Sequence, residues 1–140
     1  MDWSLEVVVV PVSDVDRAKH FYAEQLGFII DHDTRLDEYT RAVQLTPPGS
    51  ACSIVIGTGS GAGSGTDRGA PGSLKGAQLV VADIETARNA LLKAGVEVGG
   101  VTHYEGAVEL DGPGGDWNSF IRFNDPDGNS WLVQQKPAAG

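Results

Sequence analysis

The sequence predicts an α+β fold built from two tandem strand–helix–three-strand modules. Internal repetition is the first reason. "VSDVDRAKHFYAEQLG", Val12 to Gly27, reappears as "VADIETARNALLKAG", Val81 to Gly95, with Asp14 matching Asp83, Val15 matching Ile84 and Ala18 matching Ala87. The second reason is patterning. Each copy follows an apolar run, "VVVV" or "AQLVV", and precedes three further runs of strand character: "FIIDHD", "TRAVQLT" and "CSIVIG", then "VEVGGVTH", "NSFIRF" and "SWLVQQ".

The helices follow from periodicity and caps. Val15, Ala18, Phe21, Tyr22 and Leu26 share one helical face, as do Ile84, Ala87, Leu91 and Ala94. Ser13 with Asp16 resembles a capping box, Asp14 is a second candidate cap, and Asp83 can cap the other helix. Gly27 and Gly95 stand where a helix ends in a left-handed residue. In "DPDG", Pro126 and Gly128 suit a tight turn, with Asp125 and Asp127 bonding local backbone N–H groups. That is turn chemistry rather than catalysis.

Gly57 to Ser73 is nearly all Gly, Ser and Ala, and reads as a flexible linker. A phosphate-binding loop is disfavoured, because no Lys-Ser/Thr follows and no helix starts directly after it. The expected boundaries are 4–57 for the first module, 58–73 for the linker and 74–135 for the second module, all within a single domain over 1–140.

The net charge of −9 argues against nucleic acid and anionic membrane as partners. It suits solubility, and is compatible with a cationic ligand. The sequence has no apolar run long enough to span a membrane and no signal-peptide pattern. Cys52 is the single cysteine, expected as a buried thiol in a reducing, cytoplasmic setting.

The two copies, with "DVDRAKHFY" in the first and "DPDGNSW" in the second, resemble the vicinal oxygen chelate superfamily of glyoxalases, bleomycin-resistance proteins and extradiol dioxygenases. The resemblance implies a glyoxalase-like fold, in which tandem βαβββ modules form an incomplete eight-stranded barrel. The modules pair within one chain or across a homodimer, and the ligand sits between concave faces. Metal-dependent members place up to four ligands on the strands. Their positions map here onto Val7, a site near Ser53, Gly76 and Leu132. Val, Gly and Leu cannot ligate through a side chain, so the resemblance carries over the fold and withdraws the metal; no cofactor is expected. His20, His32 and His103 share no ligand spacing and read as scattered histidines.

Strand alternation from those positions gives a candidate ligand-binding set. Gln78 and Gln134 share the inward phase with Gly76 and Leu132, along with Val80; Leu5 and Val9 follow Val7. Gln44 and Arg122 add polar groups from strands. His103, Tyr104 and Trp117 flank the later strands, where they can stack on a planar ligand. For Trp117 the sequence slightly favours a packed loop anchor over a ligand contact, and Trp131 reads as core. The expected function is binding of a small molecule without metal. The alternative is a lyase, isomerase or dioxygenase of the same superfamily, metal-free or with atypical metal ligands. A metal-free enzyme would draw on His103, Tyr104 or Glu105 for proton transfer.

Overall fold

The expected strand–helix–strand order is found twice along the chain. The computed structural model describes residues 1–58 and 69–138, so residues 59–68 of the expected linker lie outside it. The first unit, Met1–Leu74 with Asp125–Asn129, contains β1 (Val7–Val9), α1 (Val15–Lys19) continuing as a π-helical segment (His20–Gln25), β2 (Ile29–Arg35), β3 (Arg41–Thr46) and β4 (Ser53–Thr58). The second unit, Lys75–Asn124 with Ser130–Gly140, contains β5 (Ala77–Val81), α2 (Ile84–Lys93), β6 (Thr102–Glu105), β7 (Val108–Asp111), β8 (Phe120–Asn124) and β9 (Ser130–Gln135).

Both sheets are mixed. The first runs β1-β4-β3-β2 and the second β5-β9-β8-β6-β7. In each, the first strand pairs in parallel with the last strand of the copy, β1 with β4 and β5 with β9, while the other pairs are antiparallel. The second sheet carries one strand more than the sequence pattern predicts. "VEVGGVTH" becomes strand only at its end, with Val98 making an isolated bridge to Phe123. "VELD" then pairs back on β6 through a turn in which Gly106 takes φ +62°.

Local chemistry explains the helix ends. Asp14 caps α1 by accepting from the Arg17 N–H at 3.0 Å. Asp83 caps α2 through the N–H groups of Glu85 and Thr86. The Ser13 capping box does not form. Ser13 Oγ instead donates to Asp127 at 2.5 Å, so the Asp127 carboxylate makes long-range contacts in place of the local backbone bonds expected of turn chemistry. Gly27 and Gly95 do adopt positive φ, as the sequence requires.

Each sheet has a helix-side face and an open face. In the first unit Val43, Leu45, Ile54 and Ile56 are buried on the helix side together with Val10, Val15, Ala18, Phe21 and Tyr22. In the second, Ile121, Phe123, Trp131 and Val133 are buried, and the Phe123 and Trp131 rings stack 6.2 Å apart, the core role expected of Trp131. Cys52 is only partly buried, because it lies in the connection just before β4 instead of within the strand.

Candidate functional site

The pairing register places the alternate residues of β5, β9, β8 and β6 on the open face of the second sheet. Gln78 stands opposite Leu132, and Leu132 opposite Arg122. Val80 stands opposite Gln134, Gln134 opposite Phe120 and Phe120 opposite Thr102. Tyr104, two residues beyond Thr102, has the same facing. Five of the seven sequence-predicted residues, Gln78, Tyr104, Trp117, Arg122 and Gln134, are thereby brought together.

They form two hydrogen-bonded groups. In one, Gln78 Nε2 donates to Gln134 Oε1 at 2.5 Å, and Gln134 Nε2 donates to the Trp117 carbonyl at 2.8 Å. In the other, Arg122 donates to the Tyr104 hydroxyl at 2.8 Å and to Glu109, which also accepts from Thr102 Oγ1 at 2.6 Å. The Thr102 and Arg122 hydrogen bonds hold the Glu109 carboxyl below its ordinary pKa. Partial burial works against the Arg122 charge, but Glu109 outweighs it and the guanidinium pKa rises. Glu109 and Thr102 were missed from sequence because β7 was not recognised; the alternation in "VEL" between two glycines was the available signal.

Trp117 is not the packed anchor that was one reading of the sequence. It is 51% exposed, and it is the one non-glycine residue at positive φ (59°) among the described residues. A bulky residue in that region costs ~1–3 kcal/mol and persists only where its surroundings hold it there. The surroundings do so. The Asn118 side chain pairs with both the N–H and the carbonyl of Tyr104 at 2.8 Å, and Gly114 N–H bonds Ser119 Oγ at 3.1 Å. A Cβ on Gly114 would stand 2.4 Å from the Asn118 carbonyl oxygen, so the loop closes only around glycine.

His103 does not join this group. It alternates with Thr102 and Tyr104 to the opposite face, where its Nδ1–H donates to the Gly112 carbonyl at 2.8 Å. Gln44 lies on the open face of the first sheet, opposite Val55 and, past a bulge at Asp31, opposite His32. The same face carries a polar cluster the sequence did not suggest: Thr46 Oγ1 bonds Asp31 and lies 2.6 Å from Ser53 Oγ.

The positions that the resemblance assigns to a metal hold few groups able to bind one. Val7 stands opposite Ser53 in the first sheet, so that pair offers at most one hydroxyl. In the second, Gly76 bonds Ser130 through its backbone N–H, and Leu132 lies between Gln78 and Arg122. No group of three or more His, Cys, Asp or Glu side chains among the described residues could hold a metal ion. These positions do not fit a metal of the Zn, Ni or Fe type, which needs several imidazole or carboxylate ligands.

Comparison with known proteins agrees with the repeat and the sheets. The sequence matches the family model described as glyoxalase/bleomycin resistance protein/dioxygenase superfamily over residues 4–133. The chain belongs to this superfamily. Among solved structures it is similar to TnmS3, an antibiotic binding protein from Streptomyces sp. CB03234, with 30% identity, a TM-score of 0.72, and 97% of this chain and 98% of that chain covered. A glyoxalase/bleomycin resistance protein from the same strain shares 32% identity at a TM-score of 0.71, covering 94% and 100% of the two chains. A superfamily member from Sphaerobacter thermophilus DSM 20745 shares 26% at a TM-score of 0.73, covering 96% and 98%. No curated protein matches.

Proposed function

We propose that this superfamily member is a metal-free binder of a small organic molecule, of the antibiotic-binding kind represented by TnmS3. The observation that carries the reading is the open face of the second sheet. Side chains that would ligate a metal in other members are here glycine and leucine, and around them stand amides, a tyrosine, an ion-paired arginine and a half-exposed tryptophan. Such a face offers apolar area with a few directed polar groups, the composition of small-molecule sites. Its acid–base pair, Glu109 with Arg122, is shifted in the directions that keep both groups charged.

The proposed ligand-contacting set is Trp117, Tyr104 and Arg122, with Gln78 and Gln134 standing on the same face. The reading takes 4–57 and 74–135 as the two modules of a homodimeric, cytoplasmic protein, on the strength of the family resemblance and the single cysteine. It is tested by incubating the protein with a panel of antibiotics and planar metabolites, with and without added Ni, Zn, Mn, Fe(II) and Co. Thermal shift and calorimetry report binding, and mass spectrometry reports the fate of the ligand. Saturable binding without metal and without chemical change is expected. Turnover of the ligand, or binding that requires a stoichiometric metal, would overturn the reading.

A further inference from the structure

We propose that Gln78 and Gln134 are positioning residues: a two-amide relay that locks Trp117 into its left-handed backbone conformation and so presets its indole as a stacking platform for a planar, conjugated ligand. This rests on the ligand-binding reading above, and assigns the amides a role through Trp117 rather than against the ligand.

Three observations carry it. Trp117 combines an unfavourable φ of 59° with 51% exposure, so burial of its ring does not supply the reason for the conformation. Its carbonyl is held by Gln134 from the neighbouring strand at 2.8 Å, and Gln134 is oriented in turn by Gln78 at 2.5 Å. The residue that follows, Asn118, is fixed to Tyr104 by two hydrogen bonds of 2.8 Å, so the loop is anchored directly after the tryptophan. A loop of composition "DGPGGDWNS" has little stiffness of its own. Here its backbone is held at the Trp117 carbonyl and at Asn118, while Trp117 stays half exposed. A large aromatic carried on a fixed backbone loses less freedom on meeting a flat partner, which favours affinity.

The first test needs no ligand. The protein is labelled with 5-fluorotryptophan, and the Trp117 fluorine resonance is assigned with Trp117→Phe. In Gln134→Leu and in Gln78→Leu the Trp117 line should move toward the position of a mobile tryptophan, while the buried Trp131 line stays in place and so reports an intact core. Gln134→Glu should behave like Gln134→Leu at neutral pH, because a carboxylate cannot donate to a carbonyl, and should recover as acidification protonates it. An unmoved Trp117 line in Gln134→Leu would overturn the relay.

The second test uses proflavine, a flat cationic ring system, titrated by calorimetry. Gln134→Leu should weaken proflavine binding about five-fold in the wild-type background and have no effect in a Trp117→Ala background, since the amide acts only through the indole. Equal losses in both backgrounds would show Gln134 touching the ligand directly and overturn the proposal. If neither proflavine nor any other panel compound binds wild type, the binding reading and the stacking role both fall, and the fluorine spectra still decide whether the relay positions Trp117.

Discussion

Replacing Tyr22 with Phe should destabilise the protein and leave ligand affinity unchanged. Tyr22 is fully buried among Phe21 and Phe28, and its hydroxyl donates to Asp125 Oδ2 at 2.7 Å. Asp125 is itself buried and takes three further donors: Asn129 Nδ2 at 2.7 Å and the N–H groups of Asp127 and Asn129, each at 2.9 Å. A hydrogen bond to a charged group contributes ~1.5–3 kcal/mol. Phe fills the same space, so no cavity is added, and the remaining donors keep the carboxylate solvated. The lower part of the range, about 1.5–2 kcal/mol, is therefore expected. For 140 residues the unfolding entropy is about 0.3 kcal/mol/K, so Tm should fall by about 5–7 °C. Differential scanning calorimetry gives the Tm, and titration with any compound the wild type binds gives Kd. A Tm change under 1 °C would refute the claim that "DPDG" is held to the first helix by this bond. A shifted Kd at unchanged Tm would instead move the motif into the binding site.

Arg41→Met should cost about 1–2 kcal/mol at neutral pH, since Arg41 is mostly buried and bonds Asp33 twice, at 2.7 and 2.9 Å, and Asp16 at 2.7 Å. Arg41, through its hydrogen bonds, holds the Asp33 carboxyl well below the usual carboxylate range. A depressed carboxylate stabilises above its unfolded pKa of about 3.9, so the gap between wild type and Arg41→Met should be full above about pH 5 and close as pH falls below 4; urea melts across pH 2.5–7 measure it. Gly72→Ala should lower stability by more than about 1 kcal/mol, because Gly72 has φ +80° and a Cβ there would stand 2.1 Å from the Asp127 carbonyl oxygen; denaturant midpoints check it. Glu109→Gln should free Arg122 from its internal anion and raise affinity for carboxylate-bearing probes several-fold, and calorimetry with matched acid and amide probes shows whether it does.

Much of the architecture was legible because it is repeated and locally encoded. The two copies with their Asp14 and Asp83 caps and their closing glycines, Gly27 and Gly95, are short-range signals, and each is found. The facing of Gln78, Leu132 and Gln134 followed from period-two alternation once a single reference position was chosen. What failed depended on pairing at a distance. β7 is four residues with an exposed pattern, so neither burial nor length marks it in the sequence. His103 and Tyr104 are adjacent, and only the Thr102–Phe120 register decides which of them shares a face with Arg122. Asp127 looked like a turn residue because its partners, Ser13 and Arg17, are far away in sequence.

The same division explains why the superfamily can be read here while the metal cannot. Val7 and Leu132 stand on open faces, and Gly76 lies just before β5. The helix-side faces hold Val43, Leu45 and Ile56 in one unit, and Ile121, Trp131 and Val133 in the other. Exchanging a metal ligand for an apolar residue on the open face removes nothing from the core, and spares the sheet two or more buried charges that would need a cation to offset them. The fold is thus specified by one set of alternate residues and the chemistry by the other. A chain can lose one specification and keep the other intact. In this chain the open face of the second sheet carries directed amides and a half-exposed indole rather than a packed apolar surface, so what it presents is chemistry the core does not need.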